Sequence, residues 1–354
     1  MPLYNKFKRN YIFEGKIREF EKELVNISLE IEKRRGQNPV ISKIMIYLLM
    51  YEQLTQKQLK ILTGYSIGSI STHLTAMISI GIIEKKLVQG THTNIYSLKI
   101  DLGQNISSLV KISKDYINQT NQFLKSKKKK LNEIFNKEKK KIKPILERFE
   151  ELETVIEIYL KLFEIIINSN SNNFEIEIKE SRDLDYVQDF NDEIRVIEDD
   201  VIDFFTYTPM FFGKTELFSK TFAYFITRKT LTQKKIRELT GLSAGKVSQE
   251  ISTLLNYGII EIVEKSNTGQ ITYQMKSVIS TFLKISSNIL SEYMKWKNKI
   301  ERIKSELEEQ REELKMLNGY QELLKFTKYL TDVLPIYEKI YYAIVKIRDK
   351  LNIS

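Results

Sequence analysis

Twice in this chain a serine opens a short run of small, hydroxyl-bearing or basic residues at the head of a helical pattern. The runs are Ser66-Ile67-Gly68-Ser69-Ile70-Ser71-Thr72 and Ser243-Ala244-Gly245-Lys246-Val247-Ser248-Gln249. A serine in that place is a good N-cap, because its oxygen accepts from the backbone N–H two or three residues on. The remaining free N–H groups of such a first turn suit an anion such as phosphate. Ile67, Ser69, Ser71, Thr72 and Thr75 would face outward from the first helix, and Lys246, Ser248 and Gln249 from the second. Their chemistry is non-covalent. Hydroxyls bond to phosphates or to several bases, whereas lysine can contact guanine O6/N7 and glutamine adenine N6/N7, a good bidentate pair discriminating by about 1–3 kcal/mol. The second run is therefore expected to be the more selective.

Covalent chemistry has no comparable candidates. There is no glycine-rich phosphate loop, no metal-ligand cluster and no nucleophile–base pair, so an enzyme is the weakest reading. The chain has no cysteine and only two histidines, His73 and His92, both expected at the surface. No cofactor and no metal are expected.

The elements that must position these residues announce themselves as a repeat. Residues 54–86 and 231–263 align without a gap at an offset of 177, with 14 of 33 positions identical. The register extends outward through Gly36/Gly213, Ser42-Lys43/Ser219-Lys220 and Tyr96/Tyr273. Thr55 and Thr232 are expected to cap a short helix that ends at Gly64 or Gly241, glycine being the residue for a left-handed C-cap. Ser66 and Ser243 then cap a second helix with Ile70, Leu74, Met77 and Ile78 at core spacing in the first copy. Two strands around a polar tip follow, Ile82–Val88 and Asn94–Leu98, then Ile259–Glu264 and Gln270–Met275. Helix, helix, tight turn, helix and β-hairpin is the order of a winged helix-turn-helix. Lys85, Lys86, Thr91 and His92 on the first wing, and Lys265, Asn267 and Thr268 on the second, are the expected flanking contacts. The lysines among them would make binding salt-dependent.

The predicted fold is mainly α with small β-hairpin wings: two winged helix-turn-helix modules joined by long helices that pair as a pseudo-two-fold dimerisation region. The expected divisions are an N-terminal helix (1–35), module 1 (36–100) and a long helical pairing region (101–168). An acidic linker and helix (169–212), module 2 (213–277) and a C-terminal helical pairing region (278–354) complete the chain. Within 101–168, Leu124, Leu131, Ile134, Ile142, Ile145, Phe149, Leu152, Ile156, Leu160 and Phe163 form a packing stripe, with a break expected at Pro144. Asn168–Asn173 reads as the interdomain boundary, and a second break is expected near Asn318-Gly319. The aromatic cluster Phe204-Phe205-Thr206-Tyr207 with Phe211-Phe212 is expected to be core packing, with an effector pocket as the alternative. Trp296 also reads as packing.

At 354 residues and 42% hydrophobic, the chain can bury real cores, and its formal net charge is +10. Lys125–Lys143 carries ten lysines against two glutamates, whereas Asn170–Asp203 carries twelve acids against three bases. Separated charge blocks on a basic protein fit an anionic polymer partner; a solvated helix face is the equal alternative for the lysine run. Neither a signal peptide nor a membrane span is expected, and a cytoplasmic location follows.

The residues also resemble a known group. Gly36…Ser42-Lys43-Ile44…Leu48, LTQKQL, Ser66-x-Gly68-Ser69-Ile70-Ser71 and GIIEKK are similar to the GbsR-like branch of the MarR superfamily. The second copy repeats the pattern as Ser243-x-Gly245-Lys246-Val247-Ser248 and GIIE. The resemblance implies repressors that bind double-stranded DNA as two-fold dimers, often under a small-molecule effector. A chain with two units could serve as a monomeric pseudo-dimer, with a homodimer as the alternative. Departures stand where the family carries basic residues: Ile67 and Ala244 after the capping serine, Thr75 and Ser252 further along, and Gly90-Thr91-His92-Thr93 at the wing tip. The other readings are a protein-interaction scaffold and a weakly specific architectural DNA binder.

Overall fold

The computed structural model describes residues 11–34, 37–99, 106–136, 138–167, 189–207, 215–265, 267, 269–275 and 277–351. It is mainly helical with two small antiparallel sheets. In chain order come α1 (Gly15–Arg34), α2 (Pro39–Tyr51), β1 (Gln53–Thr55), α3 (Gln56–Thr63), α4 (Ile67–Ser79), β2 (Ile83–Leu87) and β3 (Asn94–Leu98). Two long helices follow, α5 (Ile106–Ile134) and α6 (Lys139–Ile167). The first order then returns as α7 (Asp192–Tyr207), α8 (Glu216–Arg228), β4 (Thr230–Thr232), α9 (Gln233–Thr240), α10 (Ala244–Asn256), β5 (Glu261–Lys265) and β6 (Ile271–Gln274). The chain closes with α11 (Val278–Glu309), α12 (Arg311–Leu314) and α13 (Tyr320–Lys350).

Local chemistry sets the boundaries. Asn38 accepts from the Val40 N–H at 2.9 Å, with Pro39 at the first helical position, where its missing N–H costs nothing. Thr55 caps α3 through a reciprocal pair: its hydroxyl accepts from the Gln58 N–H at 3.2 Å, and its own N–H donates to Gln58 Oε1 at 2.8 Å. Thr232 does half of this for α9, accepting from the Lys235 N–H at 3.2 Å. Gly64 (φ 78°) and Gly241 (φ 69°) end these helices in the left-handed region, where a Cβ would be strained.

The sheets hold one strand more than the sequence suggests. β1 pairs with β3, and β4 with β6, so the strand orders are β1-β3-β2 and β4-β6-β5. Three residues are too few to show a period-2 pattern, yet Leu54 and Leu231 at their centres are 1% and 0% exposed. Each copy closes on its own core. In the first this holds Ile44, Leu48, Leu59, Ile70, Leu74, Met77 and Ile83; in the second, Phe225, Ile236, Val247, Ile251 and Leu254. Burying each such side chain stabilises by about 1.5–3 kcal/mol. Glu52 (φ 63°) and Lys229 (φ 56°), at the same offset of 177, carry the chain from helix to strand in an unfavourable positive-φ conformation.

Two compact units emerge, one formed by 1–109 with 289–339 and the other by 110–288 with 340–354. Each combines one copy of the repeat with long helices that follow the other copy. In the first unit α1 packs on α2, α11 fastens to α1, and the connection before α13 fastens to the residues preceding α1. Lys16 pairs with Glu306 at 2.9 Å, Arg302 with Glu23 at 2.7 Å, and Asn318 Nδ2 donates to the Ile12 carbonyl at 2.8 Å. Gly319 (φ 93°) must be glycine, since a Cβ there would overlap the Phe13 ring. In the second unit α7 and α6 both pack on α8, and side chains of α5 reach α7. Phe123 stacks on Phe204 at 3.9 Å, Lys127 pairs with Asp200, and Asn191 donates to Glu138 at 3.1 Å. The fully buried Arg148 of α6 donates to the Met275 carbonyl and pairs with Glu151 at 2.5 Å; Glu151 in turn accepts from the Val278 N–H at 2.8 Å. These contacts tie α6 to the joint between β6 and α11.

Three expectations need correction. The α5–α6 break falls between Ile134 and Lys139, not at Pro144, which sits inside α6 between the buried Ile142 and Ile145. Packing on both sides of the proline holds the helix through its one missing hydrogen bond. Of the expected stripe, Ile134, Leu160 and Phe163 are only half-buried, and Val155, Ile158 and Leu162 lie deeper. In α4, Ile78 is likewise half-buried. The break near Asn318-Gly319 stands as expected, whereas Asn168–Asn173, Phe211-Phe212, Gly36 and Gly213 lie outside the described residues. Phe204 and Phe205 are packing residues, joined to Phe222 of α8 through edge-on contacts, whereas Tyr207 of the same expected cluster is 70% exposed. Trp296 is half-buried under Lys299, 4.1 Å from its ring centroid. No helix of the described residues is long and apolar enough to cross a membrane.

Candidate nucleic-acid interface

The α4 and α10 helices begin as their capping serines dictate. Ser66 Oγ accepts from the Ser69 N–H at 3.2 Å, and Ser243 Oγ from the Lys246 N–H at 3.5 Å. Behind each helix the apolar positions are sealed, Ile70, Leu74 and Met77 in α4 and Val247, Ile251 and Leu254 in α10. The opposite faces are uncovered. In α4 these residues are Ser66, Ile67, Thr72 and Thr75, exposed, with Ser69 and Ser71 half-buried. In α10 they are Ser243, Lys246, Ser248 and Gln249, all exposed. Gly68 and Gly245 have open space where a Cβ would stand, so neither is a packing glycine among the described residues.

The hydroxyls are less free than their number suggests. Thr72 donates to the Gly68 carbonyl at 3.0 Å, Ser252 to Ser248 at 3.0 Å and Thr253 to Gln249 at 3.0 Å. Such back-bonding to residue i−4 uses the proton and leaves only the oxygen lone pairs to meet a ligand. The Nδ1 of His73 lies 2.7 Å from the Ser69 carbonyl, which makes it a partly buried helix residue and not a ligand. At the equivalent place α10 carries Glu250, buried, its carboxyl pushed above the usual range by desolvation.

The α3–α4 turn is braced from α2. Lys43 Nζ donates to the Thr63 carbonyl at 3.2 Å at the negative end of α3, and lies over the Tyr65 ring at 5.2 Å. In the second copy the Tyr224 hydroxyl performs this role, donating to the Leu239 carbonyl at 3.2 Å.

Of the hairpin residues, Lys85, Lys86 and His92 are exposed and Thr91 is half-buried. Lys86 is paired with Glu84 at 2.8 Å; this hydrogen bond, with one from the Ser97 hydroxyl, holds the Glu84 carboxyl below its usual range. Thr91 serves the turn itself, its hydroxyl donating to the Val88 carbonyl at 2.9 Å. Lys85, across from Tyr96, is the freer cation. In the second hairpin Lys265 and Asn267 are exposed, and Thr268 lies outside the described residues. A bulge between Ile262 and Glu264 turns that strand.

The two faces differ chemically. The first copy exposes Ile61 (60%), Ile67 (42%) and Leu87 (65%), where the offset of 177 puts Glu238, Ala244 and Glu264, and the second exposes Ile262 (54%) and Val263 (43%) where the first has Lys85 and Lys86. What repeat counting alone missed is that α1 and α7 belong to the repeat. Ile17, Arg18 and Glu21 stand opposite Ile194, Arg195 and Glu198 at the same offset. Comparison with protein-family models and with curated proteins gives no match for this chain.

Proposed function

We propose that the chain is a DNA-binding transcription regulator whose two repeats are winged helix-turn-helix modules. In this reading α4 and α10 enter the major groove, the β2–β3 and β5–β6 hairpins flank it, and the protein acts as a repressor by occupancy. The observation that carries the reading is the duplicated surface: a serine-capped helix, sealed behind and uncovered in front, beside a hairpin with exposed lysine. The likeness to the GbsR-like branch of the MarR superfamily supports it, as does the basic balance of both repeats. Ser243, Lys246, Ser248 and Gln249 would read bases. Ser66, Ile67, Ser69, Ser71, Thr72 and Thr75 would mainly follow the backbone. Lys85, Lys86, Thr91, His92, Lys265, Asn267 and Thr268 would border the grooves. Because each unit is completed by helices from the other half of the chain, one chain would bring both modules, and a second chain is not needed.

Selection from a random duplex pool tests this. The full chain should enrich a motif, and Lys246→Ala with Gln249→Ala should lose preference at one or two positions, about 1–3 kcal/mol each. A pool without enrichment, or a motif unchanged in the variant, refutes base reading by α10. One observation favours a second reading for the first module: Ile61 and Ile67, exposed on its α3 and α4 where the second copy has Glu238 and Ala244, would suit a protein partner, which would appear as DNA binding unaffected by Ser71→Ala with Thr75→Ala.

A further inference from the structure

The Lys125–Lys143 run is not one surface. Lys127 is buried, paired with Asp200 and held over the Phe123 ring at 5.2 Å. Lys128 reaches Glu153 at 3.0 Å and Glu150 at 3.5 Å, and Lys141 reaches Glu138 at 3.1 Å. These three lysines are neutralised within the fold. Lys125, Lys129, Lys130, Lys139 and Lys140 are all exposed, and among the described residues none has a carboxylate within ion-pair distance. Lys125, Lys129 and Lys130 lie on the last third of α5, within roughly 14 Å of its end at 1.5 Å per residue, and Lys139 and Lys140 open α6. Lys125 and Lys129 also border an open hollow of about 480 Å³ with Lys128, Asn132 and Glu133.

We infer that this hairpin end is a second nucleic-acid site, one that grips the phosphate backbone without reading sequence. Four cations without a partner among the described residues, and Lys139 over the Phe135 ring at 6.0 Å, give a dense positive patch that suits a duplex, which carries one negative charge per roughly 1.7 Å of axis. A membrane surface fits less well. The large apolar side chains left exposed in the described residues are on other elements, so nothing beside these lysines would insert into a bilayer. The site lies outside both repeats. It adds a sequence-independent grip to whatever α4 and α10 do, raising affinity through effective concentration.

The test replaces Lys125, Lys129, Lys130, Lys139 and Lys140 with glutamine in the full chain and titrates a random 30-base-pair duplex against salt. Each phosphate that the variant no longer neutralises should flatten the log–log salt slope by about 0.9, so a change of about 3–4 is expected, with at least tenfold weaker binding near 0.1 M salt. The enriched motif should be unchanged. Phosphatidylcholine vesicles with about one-third phosphatidylserine should not compete with the duplex. An unchanged slope, or vesicles that displace the duplex from the wild-type chain and not from the variant, overturns the inference. Disappearance of the motif in the Lys246→Ala/Gln249→Ala variant, with slope retained, leaves it standing. A chain whose duplex binding at low salt survives the five substitutions intact refutes this site and leaves the proposed role of α10 untouched. Because the five side chains are exposed, the melting temperature should hold within about 2 °C, a range typical of surface changes.

Discussion

Replacing Glu198 with alanine should be among the most damaging single changes in the second unit. The Glu198–Arg228 pair joins α7 to α8, with both side chains at most 3% exposed. Its geometry is two-pronged: Arg228 Nε donates to Oε1 at 2.8 Å and Nη2 to Oε2 at 2.6 Å. The Thr227 hydroxyl donates to Oε1 at 2.6 Å, and the guanidinium lies over the Phe190 ring at 4.4 Å. Removing the carboxylate strands a buried cation and orphans a buried hydroxyl, which costs about 3–5 kcal/mol for a pair of this kind. At roughly 2–4 °C per kcal/mol for a domain of this size, the melting temperature should fall by about 10 °C. Circular dichroism at 222 nm follows the unfolding. The control is Glu198→Leu with Arg228→Met, which removes both charges and should recover most of the drop, since apolar replacement of a buried pair is often neutral. A drop under about 2 °C for the single variant would refute the reasoning, as surface changes do that much. So would a double variant no better than the single one.

Two further outcomes follow from the first unit. Glu21, the counterpart of Glu198, is fully buried between Arg18 and Tyr51, whose hydroxyl donates to it at 2.9 Å; burial pushes its carboxyl above the usual 4.5. The folded state thus holds the proton more tightly than the unfolded chain. Stability from this group is complete below the ordinary glutamate range and lost as pH rises through the raised value. Melting temperatures from pH 4.5 upward should therefore fall less steeply in Glu21→Gln; identical pH slopes would contradict the assignment. Glu52→Gly should raise stability by about 1 kcal/mol in urea titration, because relief of a strain of about 1–3 kcal/mol at φ 63° outweighs the chain entropy that glycine adds. The ion pair with Lys325 that it removes is half exposed and worth little. A destabilised Glu52→Gly would show that the positive φ carries no strain.

Much of the local structure was legible because single residues decide it. Thr55, Thr232, Ser66 and Ser243 cap where their oxygens can reach a free N–H, and Gly64 and Gly241 stop helices where φ turns positive. The 177-residue offset located both copies. What was hidden depends on partners distant in sequence. β1 and β4 exist only because β3 and β6 lie beside them. Glu52 and Lys229 adopt positive φ without the glycine that would advertise it. Pro144 fails to break α6 because buried neighbours on either side hold it. The lysine run divides into spent and uncommitted members according to where Asp200, Glu150 and Glu153 come to rest, which composition cannot reveal. Of the residues expected to face outward from α4 and α10, Ile67, Thr72, Thr75, Lys246, Ser248 and Gln249 are exposed, whereas Ser69 and Ser71 are only half so. Nor does the spacing reveal that Thr72, Ser252 and Thr253 direct their protons into their own helices. Across α1 and α7 the repeat thins to Ile17, Arg18 and Glu21, too few matches to register before the buried carboxylates are placed.

The measurement that bears most directly on the central claim is photo-crosslinking to duplex DNA. A benzoylphenylalanine is placed singly at Ser71, at Ser248 and at Met316, the last 84% exposed on the α12–α13 connection. If α4 and α10 lie in the groove, the first two positions crosslink to the selected duplex, high salt abolishes both, and position 316 stays silent. Crosslinking from Met316 with silence at Ser71 and Ser248 would place the DNA elsewhere on the protein and contradict the account.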